Sequence, residues 1–132
     1  MLEKETDPEL IEEAKRRTKF LTYKDKQIFF QDYTNLEGDE IARLIPAFTQ
    51  LELDIVEEGS VQLLDFSGSF GNKDALNTLG EAAKMTKHLY NKTAVLGITG
   101  LKKILLNALN RITSIGAKAF VSEEEAKTWL IS

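Results

Sequence analysis

Cysteine is absent from the chain, which excludes a disulfide framework, thiolate metal sites and thiol catalysis together. There is one histidine, His88, too few for a histidine-rich metal centre and a poor basis for a histidine-containing triad. Uninterrupted apolar runs last only a few residues, far short of the ~20 that a bilayer span needs. The opening Met1–Asp7 is acidic where an export signal would be basic and then apolar, so a cytoplasmic location is expected. Internal repeats and Pro/Ser/Gly-rich linkers are also missing. What is present is a chain of 132 residues, 42% hydrophobic and 29% charged. That describes one globular domain, able to bury roughly 65–70% of its unfolded surface.

Acidic residues are missing from one long stretch. Between Ala82 and Ser122 there is no Asp or Glu, while Lys84, Lys87, Lys92, Lys102, Lys103, Arg111 and Lys118 make it +7; the net charge of -4 leaves -11 for the rest. Such segregation can present a basic face to an anion or a membrane surface, or the lysines can be solvated separately. Aromatic residues do not interleave with the basic ones as in single-strand binders, which disfavours nucleic acid.

Asp7-Pro8 opens a short helix with a weak stripe of Leu10, Ile11 and Ala14. Residues 19–23 and 27–33 are β-rich runs joined by a short link, an antiparallel hairpin. Ile41, Leu44, Ile45 and Phe48 have helical spacing, and Pro46 predicts a break near Ile45 with a second short helix to about Glu57. Val61–Phe66 is a strand. Asn72 starts a helix carrying Ala75, Leu76, Leu79, Ala82, Ala83 and Leu89. Lys92–Ile98 is apolar on both pleat faces and belongs inside the sheet. Thr99-Gly100 leads into a helix with Leu101, Ile104, Leu105, Ala108, Leu109 and Ile112 inward, Lys102 and Lys103 outward. Residues 117–121 form the last strand, and Ser122 opens a capping box before Ala126, Trp129 and Leu130. The fold class is therefore α/β: a mixed, mainly parallel five-stranded sheet opening with an antiparallel hairpin, β-β-α-β-α-β-α-β-α, plus an extra N-terminal helix.

Gln27–Leu36, Leu63–Ser69, Ala94–Leu106 and Glu124–Leu130 together resemble the SpoIIAA-like, STAS-related bacterial family, in the right order over residues 19–131. The resemblance implies a domain spanning 19–132 behind a helical extension of 1–18, with strands in sequential order. Anti-anti-sigma factors, cytoplasmic STAS domains of anion transporters and, more distantly, CRAL-TRIO lipid carriers bind proteins, nucleotides or lipids without chemistry of their own. It thus implies a non-enzymatic binding or regulatory module, without a cofactor, working through a protein partner or as a homodimer, with a phosphate-bearing ligand as an addition. The alternative is a small carrier of an apolar or lipid ligand that visits anionic membrane without stable insertion. The family's phosphorylatable serine falls on Asp74, which has no hydroxyl to modify. Asp74 either supplies a permanent negative charge there or merely suits a first helical turn.

Gly97–Lys103 runs from a strand end into a helix N-terminus, and Thr99, Gly100, Lys102 and Lys103 are the anion-binding candidates. Neither P-loop nor dinucleotide spacing is present. The plain alternative has Thr99 capping the helix and Gly100 easing the turn. Asp32 and Asp65 end strands, where parallel sheets gather ligands, but strand-end aspartates commonly accept from the next turn. His88 suits a helix C-terminus, and Ser67 and Ser69 suit a polar turn. One-sided crossovers should leave the opposite sheet face bare, with Gln62, Leu64, Phe66, Lys118, Phe120, Phe29, Gln31 and Tyr33 on it. A half-apolar bare face calls for a cover. The N-terminal helix, through Leu10 and Ile11, or a second subunit is expected there ahead of a lipid.

Overall fold

A computed structural model describes residues 2–132. Helix α1 (Pro8–Arg16) starts where the Asp7 side chain accepts from Glu9 N at 2.9 Å. At its far end Arg17 donates to the carbonyls of Asp32 and Thr34, tying the helix to the sheet. Strands β1 (Thr18–Tyr23) and β2 (Lys26–Asp32) pair antiparallel. Lys24 and Asp25 between them both have positive φ, 49° and 66°, the turn whose twist matches that of the flanking strands.

Helix α2 (Gly38–Ile55) runs unbroken through Pro46, contrary to the expected break. The proline removes one backbone donor, at a cost of about 3 kcal/mol. Ile41, Leu44 and Ile45 before it and Ala47 and Phe48 after it are all buried, and that burial outweighs the loss. There follow β3 (Ser60–Asp65), α3 (Lys73–Thr86), a 3-10 turn (Lys87–Leu89), β4 (Tyr90–Leu96), α4 (Leu101–Thr113), β5 (Lys118–Phe120) and α5 (Glu123–Leu130). The sheet order is β1-β2-β3-β4-β5, parallel beyond the hairpin.

Right-handed crossovers put α2, α3 and α4 on one face, over Tyr33, Leu64, Phe66 and Val95. Helix α1 stands on the same side, with Ala14 1% exposed and Leu10 and Ile11 against the same core. The opposite face is not bare. Ile28, Leu63, Ala94 and Leu96 are covered by α5 through Ala126 and Leu130, with Trp129 against the Phe120 ring at 5.4 Å. The chain's own C-terminal helix thus takes the place expected for the N-terminal one or a second subunit. Tyr33, Leu64 and Phe66 also face the crossover helices, not the second face. Strands apolar on both sides carry no alternation to tell one face from the other. Lys118 and Phe120 do lie on the second face. There Lys92 donates to the carbonyls of Trp129 and Ser132, and both lysines stand over the Trp129 ring. The basic residues of 82–122 are therefore divided between the two sides of the sheet.

Candidate functional site

The site is built on α4. Its inward positions are Lys102, Leu105, Leu106 and Leu109, spaced i, i+3, i+4 and i+7. Leu101, Ile104 and Ile112, expected inside, are 66%, 64% and 56% exposed. Lys102, expected outside, points in. The strand-to-helix connection allows this placement because Gly97 has φ 75° and comes close to Ser67. A Cβ on Gly97 would lie 2.4 Å from Ser67 N, so no other residue fits without moving the turn.

Between α3, α4 and the sheet lies a cavity. Leu64 and Val95 form its floor, with Leu79 of α3 and Leu105 and Leu109 of α4 as walls. The gap is about 610 Å³ including its open mouth, of which about 70 Å³ is wide enough for the centre of a water molecule. It is narrow. Among the described residues Lys102 is the only charged one around it. Its Nζ donates to the Phe66 carbonyl at 3.0 Å, an oxygen that already accepts from Ser69 N at 3.1 Å and Ser69 Oγ at 2.6 Å. Phe70, 67% exposed, and Leu101 stand at the adjoining end of the groove.

The four anion-binding candidates do not converge. Gly100, not Thr99, is the N-cap of α4, and no side chain caps it. The backbone N–H groups of Lys102 and Lys103 donate to the carbonyls of Thr99 and Gly100, both at 3.1 Å, so they are spent within the turn. Lys103 is exposed, and Lys102 bends into the cavity mouth.

Asp74 stands exposed in the first turn of α3, whose cap is Asn72 accepting from Ala75 N at 2.8 Å. Asp32 and Asp65 are register partners, and each serves the next turn. Asp32 accepts from Thr34 N and Oγ1, and Asp65 from Ser67 N. His88 is exposed in the turn after α3, and Ser69 is buried against Phe66. Among the described residues no three of His, Cys, Asp or Glu come together as metal ligands.

Two features escaped the sequence reading. One is the cavity with its inward lysine. The other is Glu52, 5% exposed, which accepts from Tyr90 Oη at 2.6 Å and joins α2 to β4. Burial pushes its carboxyl up to about 7, against the hydrogen bond from Tyr90 that favours the charged form. Burial and the neighbouring carboxylate push the Tyr90 hydroxyl upward too. Glu52 follows Phe48 by four residues and Ile45 by seven, so the helical stripe itself marked it for burial.

The element order, the sequential strands and the edge hairpin make this a SpoIIAA-like α/β fold. Among solved structures the chain is similar to an uncharacterized protein of the DUF3478 family with a SpoIIAA-like fold from Shewanella loihica PV-4. The identity is 16% and the TM-score 0.60, over 86% of this chain and 91% of that one. At that identity the likeness is one of fold. No protein-family model matches the chain, and neither does any curated protein. No helix among the described residues is long and apolar enough to cross a membrane.

Proposed function

We propose that this chain is a binding module without chemistry of its own, a small carrier that takes an apolar ligand between α3, α4 and the sheet. The observation that supports this best is the cavity, whose walls are apolar except for Ser69, Asn72 and Lys102. The outer side of α4 complements it, since Leu101, Ile104 and Ile112 form an exposed stripe beside the exposed Lys103 and Arg111. Such a surface suits brief contact with anionic membrane, from which an apolar ligand would be drawn. The test uses N-phenyl-1-naphthylamine, an uncharged dye that fluoresces in apolar surroundings. Saturable one-to-one binding is expected, lost in Leu106→Trp, whose ring fills the gap, with folding checked by circular dichroism. No binding, or equal binding by the folded variant, overturns the reading.

The same exposed stripe, with Phe70, also favours a second reading in which the module acts through protein contact. A second copy of the chain is the first partner to test. Sedimentation should then give a dimer that Ile104→Lys converts to monomer. Vesicle co-sedimentation at low and high salt separates membrane contact from protein contact, because charge attraction to lipid weakens with salt. In the protein reading Asp74 is a fixed, exposed negative charge, and Asp74→Ser should alter association; an unchanged isotherm removes it.

A further inference from the structure

We propose that the α3–α4 cavity selects a single-chain amphiphile with an anionic head, a carboxylate or a phosphate ester, whose charge is taken by the Lys102 ammonium at the mouth. This rests on the carrier reading above and names its ligand. The first reason is position. Lys102 occupies an inward place on α4, one turn before Leu105 and Leu106, where its stem lines the cavity and its ammonium is the one charge there among the described residues.

The second reason is the bond it makes. A carbonyl oxygen offers two lone pairs. The Phe66 oxygen already receives Ser69 N and Ser69 Oγ, so the ammonium rests on it as a third donor. No carboxylate among the described residues lies within ion-pair distance of Lys102, whereas Lys15, Arg16, Arg17 and Lys127 each have one. An arriving anion would therefore replace a contact to a neutral, already shared oxygen with one to a charged oxygen, and break no ion pair. The Lys102 and Lys103 amides do not compete for it, being bonded to the carbonyls of Thr99 and Gly100.

The third reason is width. With about 70 Å³ open to water centres, the gap has little room, which favours a ligand with one acyl chain over one with two. A neutral head would leave the ammonium where it is. Selection for charge thus comes from the lysine, and selection for a single tail from the walls.

Calorimetric titration with decanoate and with 1-decanol, both as free monomers, tests this. The wild-type chain should bind decanoate more tightly by roughly tenfold or more. Lys102→Met should erase that preference while keeping the affinity for decanol, and Lys102→Arg should retain it. Equal binding of both probes by the wild type overturns the anionic-head proposal and leaves the carrier reading standing. Failure of both probes together with the uncharged dye overturns the carrier reading itself. A preference that survives Lys102→Met removes Lys102 as the anchor. Sedimentation with phosphatidylglycerol vesicles without uptake of free decanoate assigns the charge recognition to the bilayer surface and overturns the single-chain ligand.

Discussion

Helices α2 and α4 cross the same face of the same sheet, and both are rich in apolar residues, yet they are packed very differently. Ile41, Ile45 and Phe48 of α2 are 1%, 1% and 0% exposed, with the Phe48 ring 4.8 Å from that of Tyr33. On α4 only Thr113 is fully buried, its inward leucines border a cavity, and three large apolar side chains face outward. Apolar content alone does not decide burial. What decides it is whether the opposite surface fills the space, and beneath α2 it does. Helix α2 closes the fold, while α4 spans a gap and keeps apolar surface on both its sides.

The sharpest way to break that contrast is to cut the same kind of group from each helix. Phe48→Ala should cost about 3–5 kcal/mol, because its neighbours cannot collapse into the hole. Leu106→Ala should cost less than about 2 kcal/mol, since that side chain is only half-buried and already borders empty space. Urea denaturation measures both. Equal losses would mean that α4 is held as firmly as α2.

A second test uses the one carboxylate that α2 carries into its packed side. Glu52 has its carboxyl raised to about 7 by burial, against an ordinary 4.5. The folded state therefore holds that proton more tightly than the unfolded chain does. Its contribution to stability is complete below about pH 4.5 and is lost as pH rises through about 7. Between those limits stability should fall by about 3 kcal/mol. Glu52→Gln should flatten this part of the profile. The difference between the two profiles isolates Glu52 from Glu13, whose carboxyl is lowered by the guanidinium of Arg17 and titrates in the opposite sense. A wild-type profile without the decline would place water beside Glu52.

Much of the fold was legible because the signals were local. Asn72 and Ser122 cap the helices they were expected to cap, and strand–helix alternation led to a parallel sheet with a hairpin edge. The rest depended on tertiary context. Helix α4 carries two apolar stripes, 101/104/108/112 and 105/106/109, and periodicity alone does not say which meets the sheet. The handedness rule governs crossovers between parallel strands, so it was silent on α5, which returns over the far face after the last strand. Of the four adjacent anion candidates, the side chain of Lys102 and the amides of the turn point to different tasks, which no spacing could reveal. Glu52 alone was written plainly into a stripe.

The smallest expected effect bears most directly on why α4 differs. Ile104 is 64% exposed, so Ile104→Lys removes little buried area and should change stability by less than about 0.5 kcal/mol. If the outer stripe serves only to keep the helix on the fold, nothing else should change. If it meets a second copy, this charge at its centre should shift a dimer to monomer; if it meets an anionic membrane, the acidic counterpart Ile104→Glu should abolish co-sedimentation with anionic vesicles, each with the melting temperature unmoved. Loss of contact without loss of stability is what a surface kept for binding requires. A fall in stability comparable to that of Phe48→Ala would instead make Ile104 part of the packed core, and α4 a second α2.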